Sequence, residues 1–221
     1  MTDNGNTLVS PSARRGTTLL EIYADIWCPF AHVGLRAAVH ERSRLGRDDV
    51  ELIVRAWPLE LVNGTPLDVV ATTRHVNELR DQVAPGLFAG FVPSIFPTTS
   101  LPALALASAA YQRSSVVGEA VSLALRDALF ERGQDVSQTA VLEAIASPYE
   151  LEWSHPRFTA LVHDEWHRGQ LRKVKGSPHF YCGEREAFCP ALDITRDLEG
   201  GLLMQRNGRE LERFLATCFQ P

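Results

Sequence analysis

The sequence predicts an α/β protein in which a strand, a helix and a second strand open the chain, a long helical block interrupts it, and two strands and a helix close it. Three observations carry this. The apolar run TLLEIYA at 18 to 24 leads through Asp25, Ile26 and Trp27 to Cys28-Pro29, after which apolar residues recur at helical spacing. A second strand-like run, VELIVRAW, follows at 50 to 57. No convincing strand appears between residues 67 and 169, and strand character returns only at 177 to 183.

Pro29 suits the first position of a helix, Phe30, Val33 and Ala37 with the small Gly34 and Ala38 continue it, and Gly46 marks its stop. Residues 18 to 57 therefore read as a βαβ unit, whose parallel crossover is expected to be right-handed. Pro58 ends the second strand, and Asn63-Gly64 is a turn. In the helical block, Val117, Val121, Leu125, Ala128 and Leu129 share one face. Ser100, Ser137 and Ser154 are candidate N-caps, with Gly133 and Gly169 as stops, giving four or five helices. A last strand is expected near 202 to 205. The final helix starts near Asn207, with Leu211, Phe214, Leu215, Cys218 and Phe219 on its apolar stripe. The predicted organisation is a disordered tail over 1–16, an α/β domain made of 17–62 and 170–221, and an inserted helical domain over 63–169.

With 221 residues, 45% of them hydrophobic and 22% charged, the chain has an ordinary globular composition and needs no staples to hold a core. A net charge of -5, with no basic cluster beyond Arg172, Lys173 and Lys175, argues against nucleic acid as a partner. No run approaches the roughly 20 apolar residues of a membrane span, and the first sixteen residues lack a signal-peptide core, so a cytoplasmic location without membrane partners is expected. Four scattered cysteines with no CxxC pair are expected to be thiols rather than a structural zinc site. His163 and His167 stand four apart in HDEWH, which is not HExxH and has no third ligand, so no metal is expected.

Cys28 carries the most chemistry. A thiol at the mouth of a helix meets unpaired N–H groups and the positive end of the helix dipole, which favour the thiolate and would bring its pKa below about 8.5. The competing reading is a small buried residue at a tight turn. Cys182 lies about 13 Å along an extended strand from Pro178, too far to resolve a bond at Cys28. Cys189, in a segment that reads as a loop (GEREAFCP), is a minor candidate for a regulatory disulfide with Cys182, and Cys218 belongs to the core.

The stretch from Tyr23 to Gly34, YADIWCPFAHVG, resembles the active-site signature of the DsbA-like thioredoxin superfamily, in particular its cytoplasmic FrnE-type branch. Trp57-Pro58-Leu59-Glu60-Leu61 resembles the segment after that branch's second strand, and Pro97-Thr98-Thr99-Ser100 the opening of its inserted helices. Lys175-Gly176-Ser177-Pro178-His179-Phe180 is similar to its cis-proline loop. The resemblance covers residues 18 to 219 and implies a thioredoxin fold with a large all-helical insertion and a cis Ser177-Pro178 bond. It also implies a substrate or thiol groove lined by Trp27, Pro29, Phe30, Ala31, Ser177, Pro178 and His179, with Cys28 as the catalytic nucleophile. His32, four residues past Cys28, is a candidate to orient or deprotonate it, against a solvent-facing alternative; His179 is a similar candidate.

Where the family has its second cysteine this chain has Ala31, so the internal dithiol cycle is excluded and a mixed disulfide resolved by an external thiol remains. The more distant kappa-type glutathione transferases and 2-hydroxychromene-2-carboxylate isomerases of the superfamily resemble this single-nucleophile economy. The leading expectation is a monothiol thiol-disulfide oxidoreductase acting on a small thiol or a thiolated protein or peptide. The alternatives are a thiol-dependent transferase or isomerase of small electrophiles and a degenerate peptide-binding member. No tightly bound cofactor is expected. The co-substrate thiol is glutathione, or mycothiol if the preference for Arg over Lys, which occurs only at 173 and 175, reflects a high-GC Gram-positive host. A homo-oligomer is compatible with the sequence.

Overall fold

The computed structural model describes residues 17–154, 156–198 and 201–218. The tail expected over 1–16 and Phe219 of the final stripe lie outside them. Strand β1 (Thr18–Ala24) runs parallel to β2 (Val50–Ala56), with Thr18 opposite Val50 and Ala24 opposite Ala56, and helix α1 (Pro29–Arg44) joins them. Leu20, Ile22 and Ala24 of β1 and Ala31, Leu35 and Ala38 of α1 are fully buried against each other's layer. Gly46 takes φ +59 just past the helix, the left-handed stop its position predicts.

Helices α2 (Leu59–Asn63), α3 (Val69–Gln82), α4 (Leu101–Arg113), α5 (Ser115–Phe130), α6 (Thr139–Ala146) and α7 (Pro156–Leu171) follow without a strand. Ser100 stands at the cap position of α4 without a side-chain bond to the helix. Ser137 bonds to Asp135 instead of capping, and α6 starts one residue later behind Gln138. Ser154 stands beside residue 155, which is not described. Gly169 is not a stop: it sits inside α7, where a Cβ would stand 2.6 Å from the Trp57 ring and 3.0 Å from Tyr23. Its bareness lets α7 lie on the aromatic cluster of Tyr23, Trp57 and Tyr181 behind the sheet, and Lys173 takes the left-handed position after the helix.

The chain returns through β3 (His179–Cys182), antiparallel to β1 with Ile22 opposite Phe180, and then β4 (Arg185–Phe188), antiparallel to β3. The sheet order is β2-β1-β3-β4. Two expectations are corrected here. Half of the segment read as a loop, GEREAFCP, is the edge strand β4, which buries little and so carries no apolar alternation, while Cys189 lies just beyond its end. The strand near 202 to 205 is β6 (Leu202–Arg206), which pairs with β5 (Leu192–Arg196) in a separate two-stranded sheet rather than closing the main one. Helix α8 (Gly208–Cys218) ends the described chain, burying Leu211, Phe214, Leu215 and Cys218 on one stripe.

Candidate functional site

Cys28 is the N-cap of α1, in extended conformation (φ −80°, ψ 113°), with Pro29 in the first turn. Its thiol donates a hydrogen bond to the carbonyl oxygen of Ser177 at 3.1 Å. The Ser177–Pro178 peptide bond is cis. The same serine accepts the Asp25 N–H on its hydroxyl at 3.0 Å, so the end of β1, the start of α1 and the loop before β3 are tied at one point. Gly34 permits this approach, since a Cβ there would stand 3.2 Å from Pro178 Cγ.

The N–H groups of Ala31 and Phe30 at the helix start favour the charged form of the Cys28 sulfur, although the thiol makes no side-chain cap hydrogen bond to the helix. The thiol is nevertheless pushed up, not down. Burial is the largest cause, opposed by Ser177 and the two amides and reinforced by the negative charge of Asp25. The expectation of a helix-lowered thiol is thus corrected: Cys28 is 3% exposed, and the hydration its thiolate would lose outweighs what two amides return.

Behind the sulfur lies a buried charged pair that the sequence reading left unassigned. Asp25, fully buried, accepts the N–H of Leu59 at 2.5 Å and of Trp27 at 3.4 Å, and burial raises it to about 6. Arg126, delivered by α5, is also fully buried. It donates to the Asp25 carbonyl oxygen at 3.1 Å and to the carbonyl and hydroxyl of Ser122 at 2.9 and 2.7 Å. Burial lowers it to about 10, while the charges of Asp25 and Cys28 act to hold it protonated. The signals were present as an acid closing an apolar strand run and an arginine among the apolar residues of a helix face.

The remaining candidates divide. Trp27 is buried and stacked on Phe96, with ring centroids 5.7 Å apart, and Ala31 is buried at the position of the missing thiol. Phe30 is half-buried against His75. Pro29 and Pro178 are buried beside Cys28. His32 corrects both of its readings. It is fully buried, its Nε2 lies 2.7 Å from Glu131 Oε1, and Phe88 and Phe130 flank its ring, while Nδ1 has no partner. Its ring thus joins α1 to the helical block without bonding to Cys28. His179 alternates away from Pro178 along the strand. It packs on Tyr181, accepts the Lys175 N–H and lies 3.0 Å from the Tyr181 hydroxyl, and burial lowers it to about 4, so it stays neutral. Cys189 is buried, bonds through its N–H to the Pro178 carbonyl and feels the charge of Cys28. Cys182 is half-buried and neighbours the buried Cys218.

Among the described residues no group of three or more His, Cys, Asp or Glu side chains is placed to hold a metal ion. His163 and His167 both pack against Trp166. No helix of the described residues is long and apolar enough to cross a membrane.

A mixed sheet of order β2-β1-β3-β4, a cysteine at the first helix's start facing a cis-proline, and a helical block inserted between β2 and β3 define a DsbA-like thioredoxin fold. Comparison with solved structures agrees. The chain is similar to a putative protein disulfide isomerase from Nitrosomonas europaea, with TM-score 0.66 and 16% identity over 91% of this chain and 97% of that one. It is similar to the cytosolic disulfide reductase DsbM from Pseudomonas aeruginosa, solved also with GSH, with TM-score 0.60 and 15% identity over 90% of this chain and 98% of that one in the GSH structure. It is also similar to a 2-hydroxychromene-2-carboxylate isomerase, with TM-score 0.54 and 13% identity over 77% and 88% of the two chains. No family model and no curated protein matches the sequence.

Proposed function

We propose that the chain is a thiol-disulfide oxidoreductase that works through Cys28 alone, forming a mixed disulfide with a low-molecular-weight thiol or a thiolated peptide. The observation that carries this is the meeting of the Cys28 sulfur with the Ser177 carbonyl at 3.1 Å across a cis-proline loop, with Ala31 in place of a second thiol. The carbonyl is a ready acceptor for an incoming thiol or peptide N–H, and the amides of Phe30 and Ala31 stabilise the sulfur's negative charge when it is expelled. Arg126 adds a positive charge that the Cys28 sulfur feels.

Attack by Cys28 on a disulfide breaks that S–S bond, releases one thiol and leaves the other half on Cys28; an external thiol then restores the free cysteine. The Pseudomonas reductase solved with GSH supports glutathione as the generic small thiol, and mycothiol fits the same chemistry. The reading places the chain in the cytoplasm, as that reductase is described.

A second reading is favoured by one observation, the upward push on the Cys28 thiol: a protonated, hydrogen-bonding Cys28 would stabilise the thiolate of a bound co-substrate, as a transferase or isomerase requires. Incubation with glutathione disulfide, acid quench and peptide mass mapping separates the two. An adduct on the Cys28 peptide, absent in Cys28→Ser, supports the oxidoreductase. Retained thiol-dependent turnover in Cys28→Ser, with no adduct in the wild type, replaces it with the second reading.

A further inference from the structure

We propose that Cys182 and Cys218 form a second redox centre, a reversible disulfide that clasps the end of α8 to the end of β3. The two thiols are neighbours, 36 positions apart in sequence, and Cys218 feels the Cys182 thiol. Their meeting follows from how the two elements run. Phe180 of β3 packs edge-on against Phe214 of α8, with ring centroids 6.2 Å apart. Two residues along a strand advance about 6.6 Å and four along a helix about 6 Å, each returning to the same face, so the pair after Phe180 and Phe214 is Cys182 and Cys218. Arg185, directly opposite Cys182 in the β3–β4 register, donates to the carbonyl of Thr217, the residue before Cys218, and holds the helix end in place.

Access is asymmetric. Cys182 is half-buried and Cys218 is buried, and burial with the neighbouring thiol pushes Cys218 up. Cys182 is therefore the attacking thiol. It displaces one half of an oxidised low-molecular-weight disulfide, its proton passing to the thiolate released. Cys218 then attacks the Cys182 sulfur and expels the second half, its own proton going with it. Two protein thiols lose two electrons and two protons, and the small disulfide becomes two thiols.

The centre does not depend on Cys28, and the test keeps them apart. The full chain carrying Cys28→Ser and Cys189→Ser is equilibrated with oxidised glutathione, alkylated and mapped by mass spectrometry, alongside the wild type. The expected result in both is a peptide linked through Cys182 and Cys218, lost on reduction with dithiothreitol. The thermal midpoint should rise by roughly 5 to 10 °C on oxidation, a rise absent in Cys182→Ser. Both thiols fully alkylated after equilibration, a stable glutathione adduct on Cys182 beside a free Cys218, or a wild-type link from Cys182 to Cys189 would overturn the proposal. If the double variant does not fold, the wild-type map decides alone.

Discussion

The sulfur of Cys28 lies 3.1 Å from the carbonyl oxygen of Ser177, 149 residues further along the chain, and the proposed mixed-disulfide chemistry of Cys28 takes place at that contact. It joins the first helix to the loop that re-enters the sheet after the whole helical block.

Replacing Cys28 by Ser should abolish repeated turnover with a low-molecular-weight disulfide, leaving only the single closure of Cys182 with Cys218, whereas Cys218→Ser should leave that turnover intact. Cys218 lies on the apolar stripe of α8, so its loss acts on packing and on the pair with Cys182. Equal loss in two well-folded variants, followed spectroscopically with the released thiol, would remove the division of roles.

Asp25 and Arg126 should set the ionisation of Cys28 from opposite sides. Alkylation of Cys28 by iodoacetamide across pH should show its inflection above the usual thiol value, because burial pushes the thiol up. Asp25→Asn removes a negative charge and should move the inflection down; Arg126→Met removes a positive one and should move it up. Shifts in the reverse directions would mean that the pair does not act on the sulfur.

The same acid and His179 should oppose each other in the pH dependence of stability. His179 is held neutral with a pKa near 4 against 6.5 unfolded. The unfolded chain therefore takes up the proton first, and up to about 3 kcal/mol of stability is lost as pH falls from 6.5 to 4. Asp25, at about 6 folded against 3.8 unfolded, binds its proton first in the native state and returns a similar amount, about 3 kcal/mol, as pH falls from 6 to 3.8. Denaturation at several pH values should show His179→Gln gaining stability relative to wild type on acidification, and Asp25→Asn losing it. Parallel curves for all three proteins would contradict both assignments.

Glu131 joins the helical block to α1: Oε1 pairs with His32 and accepts the Phe88 N–H at 2.9 Å, and Oε2 accepts the Ala89 N–H at 3.2 Å. Glu131→Ala should cost about 2–4 kcal/mol, because it leaves buried donors without partners. Glu131→Gln should cost less and leave the Cys28 alkylation profile unmoved, since the His32 ring makes no bond to the Cys28 sulfur. A displaced profile in the glutamine variant would give His32 back a part in the chemistry.

Ala31→Cys should rebuild a dithiol centre. Position 31 is one helical turn from Cys28, within the 4.4 to 6.8 Å Cα separation a disulfide usually spans. The added sulfur enters a buried site and should cost roughly 1–3 kcal/mol. In an oxidising buffer the variant should close a bridge and gain insulin-reducing turnover that the natural chain lacks. A folded variant that never bridges would show that the sulfur does not face position 31.

What the sequence determined by itself was local. The run from Thr18 to Ala24 makes a strand, Pro29 and Gly46 bound the first helix, and the helical pattern between 67 and 169 admits no strand, because periodicity and backbone constraints act over a few residues. Cys28 was marked by its place between them. Tertiary structure decided everything that depends on what covers a group. Burial reversed the direction of the Cys28 thiol, turned His32 toward Glu131 and His179 toward Tyr181, and brought Arg126 from α5 under Asp25. The edge strand β4 and the pairing of Cys182 with Cys218 were illegible for the same reason. An edge strand leaves no alternation in its sequence, and two thiols meet only because β3 and α8 advance in step across a contact that neither segment encodes alone.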